Sequence, residues 1–196
     1  GLTSPMLDPV FRLRPLGSLI RLLTHPLVGA PVFIVNMWFW HVPAIYDIAV
    51  TNASVHYVMH ISFLASGLMF WWTLAGPVRG LHPLGTGWRL FYIFFTGFPM
   101  MILAFALVAT PSVLYDYYEQ QPRLWGISAQ TDQQIGGALM GTLGELTMFI
   151  PFTLLFMRLT SEEEERADQA IEQPPPSVPR NGATPEDARA RSERHV

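Results

Sequence analysis

Along the 196-residue chain, charge all but disappears in four apolar runs, residues 26–42, 55–75, 89–109 and 134–158. A helix crossing a hydrocarbon layer of ~30 Å needs about 20 mostly apolar residues. The last three runs meet that length; the first is shorter and stops at Pro43. None alternates at every second residue as a membrane strand does; each is apolar all round. The pattern predicts an all-α, polytopic bundle of four transmembrane helices over residues 26–158. Ahead of it, Arg12, Arg14 and Arg21 together with Pro9 and Pro15 break up residues 1–25. That excludes the apolar core of a signal peptide and predicts a short interfacial helix around Leu16, Ile20 and Leu23. Residues 159–196 read as an acidic tail. Ser161, with Glu164 three residues on, extends or restarts a helix, Pro174 to Pro176 end it, and disorder follows.

Composition sharpens this division. Half of the chain is hydrophobic and 14% charged, yet residues 161–196 hold nine of the fifteen acids and five of the twelve arginines. The net charge of −3 therefore belongs to the tail, and no basic patch exists to meet a nucleic acid. Cysteine is absent, which excludes disulfides and thiolate metal sites. With no lysine present, orientation rests on arginine: Arg12, Arg14, Arg21, Arg79, Arg89, Arg158 and Arg166 flank one side of the spans, whereas connections 43–54 and 110–134 contain only Arg123. Positive charge stays inside, so both termini are expected in the cytoplasm and those two connections outside. Trp71 and Trp72 then fall in the inner aromatic belt, Trp38 and Trp40 near the outer one.

The same topology gathers polar chemistry at one depth. His41 closes the first span; His56 and His60, four residues apart on one helix face, open the second; Asp132 and Gln133 open the fourth. Two imidazoles at that spacing share one metal ion readily, and a third from the neighbouring helix completes a three-coordinate site with a position for exchange. Imidazole with thioether suits copper, zinc or iron; Met37, Met59, Met100 and Met140 serve if the softer Cu(I) is the cargo, and Asp47 or Asp132 is placed to orient an imidazole through its second nitrogen. The plain alternative is a set of belt histidines bonded to loop carbonyls. His25 and His82, each beside a proline, read as connection residues. In the fourth span Gly137, Gly141 and Gly144 invite close helix approach, and Pro99 is expected to kink the third. Glu145 lies deep in the fourth span, where a charged carboxylate costs ~2.5 kcal/mol or more unless neutral, paired or facing water. It serves equally as a proton or metal relay and as an interhelical anchor.

These residues also fall into longer motifs: THPLV at 24–28, WHVPAIYDIA at 40–49, HYVMHISFLASG at 56–67, FWW at 70–72, RLFY at 89–92 and WGISAQTDQQIGGALM at 125–140. Across residues 22–158 the chain resembles the CtaG-type cytochrome c oxidase assembly factors, integral proteins of the bacterial cell (inner) membrane. The resemblance implies a non-enzymatic, multi-pass metallochaperone of the respiratory chain that supplies copper to an oxidase subunit, with lipid around it. It carries over His41, His56, His60 and Asp132 as metal candidates, with Asp47, Gln133 and Met59 auxiliary. Family members carry further spans before the THP motif, so the chain, beginning at Gly1, is expected to lack N-terminal spans of its full-length protein.

Three other functions fit less of the sequence. A haem-binding electron carrier needs histidines from two helices facing across a porphyrin. A metal-dependent membrane hydrolase using Glu145 as base must bridge ~16 Å of helix between it and the outer histidines, and no G-x-S-x-G motif is present. A structural subunit of a larger membrane complex uses the glycines and the acidic tail alone.

Overall fold

The computed structural model describes residues 14–76 and 84–172. Seven α-helices carry these residues: α1 (Arg14–Leu23), α2 (Pro26–Trp40), α3 (Pro43–Thr51), α4 (Ala53–Ala75), α5 (Thr86–Ala109), α6 (Asp116–Glu119) and α7 (Ala129–Glu172), with a single 3₁₀ turn at Leu124–Gly126. No strand occurs among the described residues. His82 and the segment from Pro174 onward, expected as a connection residue and a disordered tail, lie outside them.

Local chemistry sets the boundaries. Pro26 at the first helical position starts α2, and the His25 ring accepts from the Leu27 amide at 3.2 Å. Asn52 caps α4, its Oδ1 accepting from the Ser54 and Val55 amides at 3.0 and 3.2 Å. Pro43 was expected to close the first span and open a connection; it does close α2, but it also stands at the start of α3. A proline lacks only an N–H that the first turn would leave unused, so the same residue both stops one helix and begins the next. α5 continues through Pro99 and α7 through Pro151 without a break.

Three helices, α4, α5 and α7, are long and apolar enough to cross a membrane, or four if α1 and α2, bent by 64° at their junction, form one span. A helix was expected around Leu16, Ile20 and Leu23, and α1 covers those residues. By contacts the chain divides into two compact units, residues 1–159 and 160–196.

In the first unit, α2 packs between α4 and α5. Phe70 is fully buried and stacks on Phe33 of α2 at 5.3 Å and on Tyr92 of α5 at 5.2 Å, so one aromatic column joins three helices. Met148, Phe152 and Leu155 of α7 pack against this cluster. A polar ladder runs beside it: Asn36 donates to Ser66 at 3.0 Å, and the Trp40 indole donates to Asn36 at 3.1 Å and to Ser62 at 2.7 Å. Such bonds hold membrane helices together where apolar burial gives no net drive. Trp40 is therefore a buried interhelical residue, and Trp38 is the exposed one of the two. Gly137 sits where an added Cβ would meet Leu107 Cβ at 2.8 Å, and Gly141 where it would meet Ala104 at 3.2 Å, so α7 rests on α5 at these two glycines. Gly144 faces open space instead. The outward faces of α5 and α7 expose Phe94, Phe105, Leu139, Leu143, Phe149 and Leu154, a surface that matches hydrocarbon rather than water.

In the second unit, residues 160–172 are helical, and Arg166 bonds Glu163 at 2.6 Å with Glu162 at 3.9 Å.

Candidate functional site

The fold brings His41, His56, His60, Asp132 and Gln133 to one end of the helices, where α2 stops, α3 and α4 begin, and α5 gives way to the connection before α7. There they separate into two arrangements.

The first surrounds His41. Its Nδ1 donates to the Met37 carbonyl at 2.7 Å; since a carbonyl only accepts, the proton is on Nδ1 and Nε2 keeps its lone pair. The expected orienting carboxylate is thus replaced by a backbone carbonyl one turn back. Asp47 instead accepts from the Tyr117 amide at 3.4 Å. His41, Asp132, Gln133 and Met140 share a cavity of about 310 Å³ with Tyr46 and Tyr115. Tyr115 donates to the His41 carbonyl at 3.3 Å, and the Tyr46 ring lies 4.2 Å from the Tyr115 ring, tilted by 36°, while its hydroxyl bonds Tyr118 at 2.9 Å. Burial raises the Tyr46 hydroxyl above its ordinary range, helped by Tyr118; burial likewise pushes Tyr115 up to about 12, with Tyr118 and Asp47 adding to it.

The glutamines of this motif do something the sequence reading missed. Gln133 accepts from the Leu114 amide at 2.7 Å and donates to the Leu107 and Ser112 carbonyls at 3.3 and 3.4 Å. Gln134 donates to Val108 at 3.2 Å and Gln130 to Thr110 at 3.1 Å. Together they satisfy carbonyls left free where α5 ends. Gln133 is accordingly a clamp on that helix end. Its signal was Gln at 130, 133 and 134, one turn of helix apart, a pattern with no partner visible within its own segment.

The second arrangement is the pair on α4. His56 and His60 place their Nε2 atoms 3.0 Å apart, with ring centroids at 4.6 Å and planes at 66°. One Nε2 donates and the other accepts, and His60 faces outward. Met59, next to His60 in sequence, points the other way and is buried with Trp40 and Ala49. The expected third imidazole is not added to the pair: among the described residues no three His, Asp or Glu side chains come together as a set able to hold one ion.

A helical membrane protein with a histidine-bearing rim is the class this geometry defines. The chain belongs to the cytochrome c oxidase caa3 assembly factor family, whose description matches residues 2–162. It is also similar to uncharacterized protein ML1998 of Mycobacterium leprae, 25% identical over 158 residues, and to uncharacterized protein Mb0105 of Mycobacterium bovis, 25% identical over 160 residues. These matches cover 77% and 74% of this chain, which spans only 23% of the length of either relative. No solved structure matches.

Proposed function

We propose that the chain holds copper at the outer rim of a bacterial cell membrane and passes it to a cytochrome c oxidase subunit during assembly, without catalysing a reaction itself. In this reading both termini lie in the cytoplasm, the α3 and α6 side faces outward, and copper is the cargo. Family membership supports the oxidase as client, and the distribution of arginine supports the orientation.

One observation carries the cargo: the 3.0 Å separation of the His56 and His60 Nε2 atoms. Imidazole nitrogens bind such ions at about 2.0–2.1 Å, so two bound to one ion at a tetrahedral angle lie roughly 3.3–3.4 Å apart. The pair lies a few tenths of an ångström inside that spacing, and the proton now between the two Nε2 atoms must move off so that both lone pairs face the ion. Two protein ligands on an outward face leave coordination positions open, as a site that must release its ion to a client requires. His41 belongs to the separate cavity.

Purified oxidase from cells whose only copy carries His56→Ala and His60→Ala should contain haem but less copper than oxidase from wild-type cells. Full copper content in the variant strain, with the variant protein at normal abundance, contradicts the proposal.

A further inference from the structure

We propose that the cavity lined by Met37, Met100, Met140 and Met148 is a second binding site, for a soft monovalent cation, Cu(I) being the cargo form it selects. The chain has nine methionines and no cysteine, so thioether is its only soft ligand. Four of those methionines line a single cavity of about 100 Å³. They come from α2, α5 and α7, so only the assembled fold brings them together.

Methionine ordinarily fills irregular gaps, because its unbranched chain adapts to them. Here four of them border a space that remains open, larger than the ~30 Å³ share of one water in the liquid. Glycine helps to keep it so. Gly141 and Gly144 form part of the wall, and at Gly144 an added Cβ would meet nothing within 4 Å. The remaining polar group is Glu145, whose carboxylate also borders a larger apolar groove of about 660 Å³ between α5 and α7. Among the described residues it makes no hydrogen bond or ion pair. A carboxylate beside a thioether cage balances the single charge of a soft monovalent ion, which gives Glu145 a purpose in an apolar span.

Met140 ties this cavity to the rim. It lines both the thioether cavity and the cavity that holds His41 and Asp132. Met37 makes a second link, since its carbonyl accepts from His41 while the residue also borders the thioether cavity. The inference rests on the copper reading for the identity of the ion, and its own content is the oxidation state and the second location.

The test is titration of the purified full chain in detergent with Ag(I), a redox-inert soft cation, and with Cu(I) under anaerobic conditions against a competing chelator. Three variants are compared with wild type: Met100→Leu with Met140→Leu, Gly144→Leu, and His56→Ala with His60→Ala. The methionine pair and the cavity-filling Gly144→Leu should each weaken Ag(I) binding by at least roughly tenfold, the smallest loss typical for disturbing a metal's surroundings. The histidine pair should leave one Ag(I) equivalent bound, with sulfur neighbours in X-ray absorption. Gly144→Leu keeps every sulfur, so its loss of binding supports the cavity itself even if the methionine variant folds poorly. Wild-type Ag(I) affinity in both the methionine and Gly144 variants overturns the site. If the histidine variant then loses all metal, the copper reading stands alone; if wild type binds neither ion, both fall.

Discussion

His41 and the His56–His60 pair lie at the same end of the helices and carry the same chemistry, yet they are built differently. His41 is held by Met37 and Tyr115 inside a cavity whose other walls are fastened to the framework by Gln133 and packed tyrosines. The pair is held only by its helix and by its own contact. A histidine embedded in that many bonds is one the fold needs, and a histidine bonded only to another is one the fold can do without. Position within a motif does not separate these cases; the partners do.

The comparison is most easily broken on the framework side. Gly137→Leu forces a side chain into Leu107 and the Ala104 carbonyl, at 2.8 and 3.2 Å from the position of its first carbon. It should cost roughly 1–3 kcal/mol or more in detergent unfolding and loosen α7 from α5, whereas Gly144→Ala, with open space around it, should fall within about 0.5 kcal/mol of wild type. Gln133→Leu comes next. It strips one acceptor and two donated bonds from the end of α5 and should cost about 1–3 kcal/mol, read by the same unfolding titration.

The tyrosines give the framework a pH signature. Their hydroxyls ionise later in the folded chain than in the unfolded one, so their contribution is complete below about pH 10 and is lost as the pH rises toward the raised values, about 12 for Tyr115. Unfolding followed from pH 8 to 11 should show stability falling above about pH 10, and Tyr115→Phe should flatten part of that fall. The smallest effect on stability belongs to the pair: His56→Ala with His60→Ala should change unfolding by no more than about 0.5 kcal/mol. A larger loss would place the pair in the framework and end the distinction.

The apolar runs made the long helices legible, because span length follows from the hydrocarbon thickness alone. Helix α3 was hidden by Pro43, whose usual meaning as a terminator masked its equal fitness as a first residue. The HxxxH pair was legible for the same reason that it is isolated: i and i+4 stack on any helix, whatever surrounds them. What sequence could not assign was direction across helices. The glutamine clamp joins Gln133 to Leu107, 26 residues away, and the indole of Trp40 turns inward because Asn36 and Ser62 happen to wait for it. The methionines were visible as a pool of thioethers; their convergence on Glu145 depends on how α7 lies against α2 and α5.

Copper titration of the purified full chain beside its two imidazole variants tests the central claim most directly. His56→Ala with His60→Ala should lose the outward, nitrogen-ligated copper while keeping its fold, and His41→Ala should retain it. Nitrogen-ligated copper that survives in the first variant, or disappears in the second alone, contradicts the assignment of the cargo to the α4 pair.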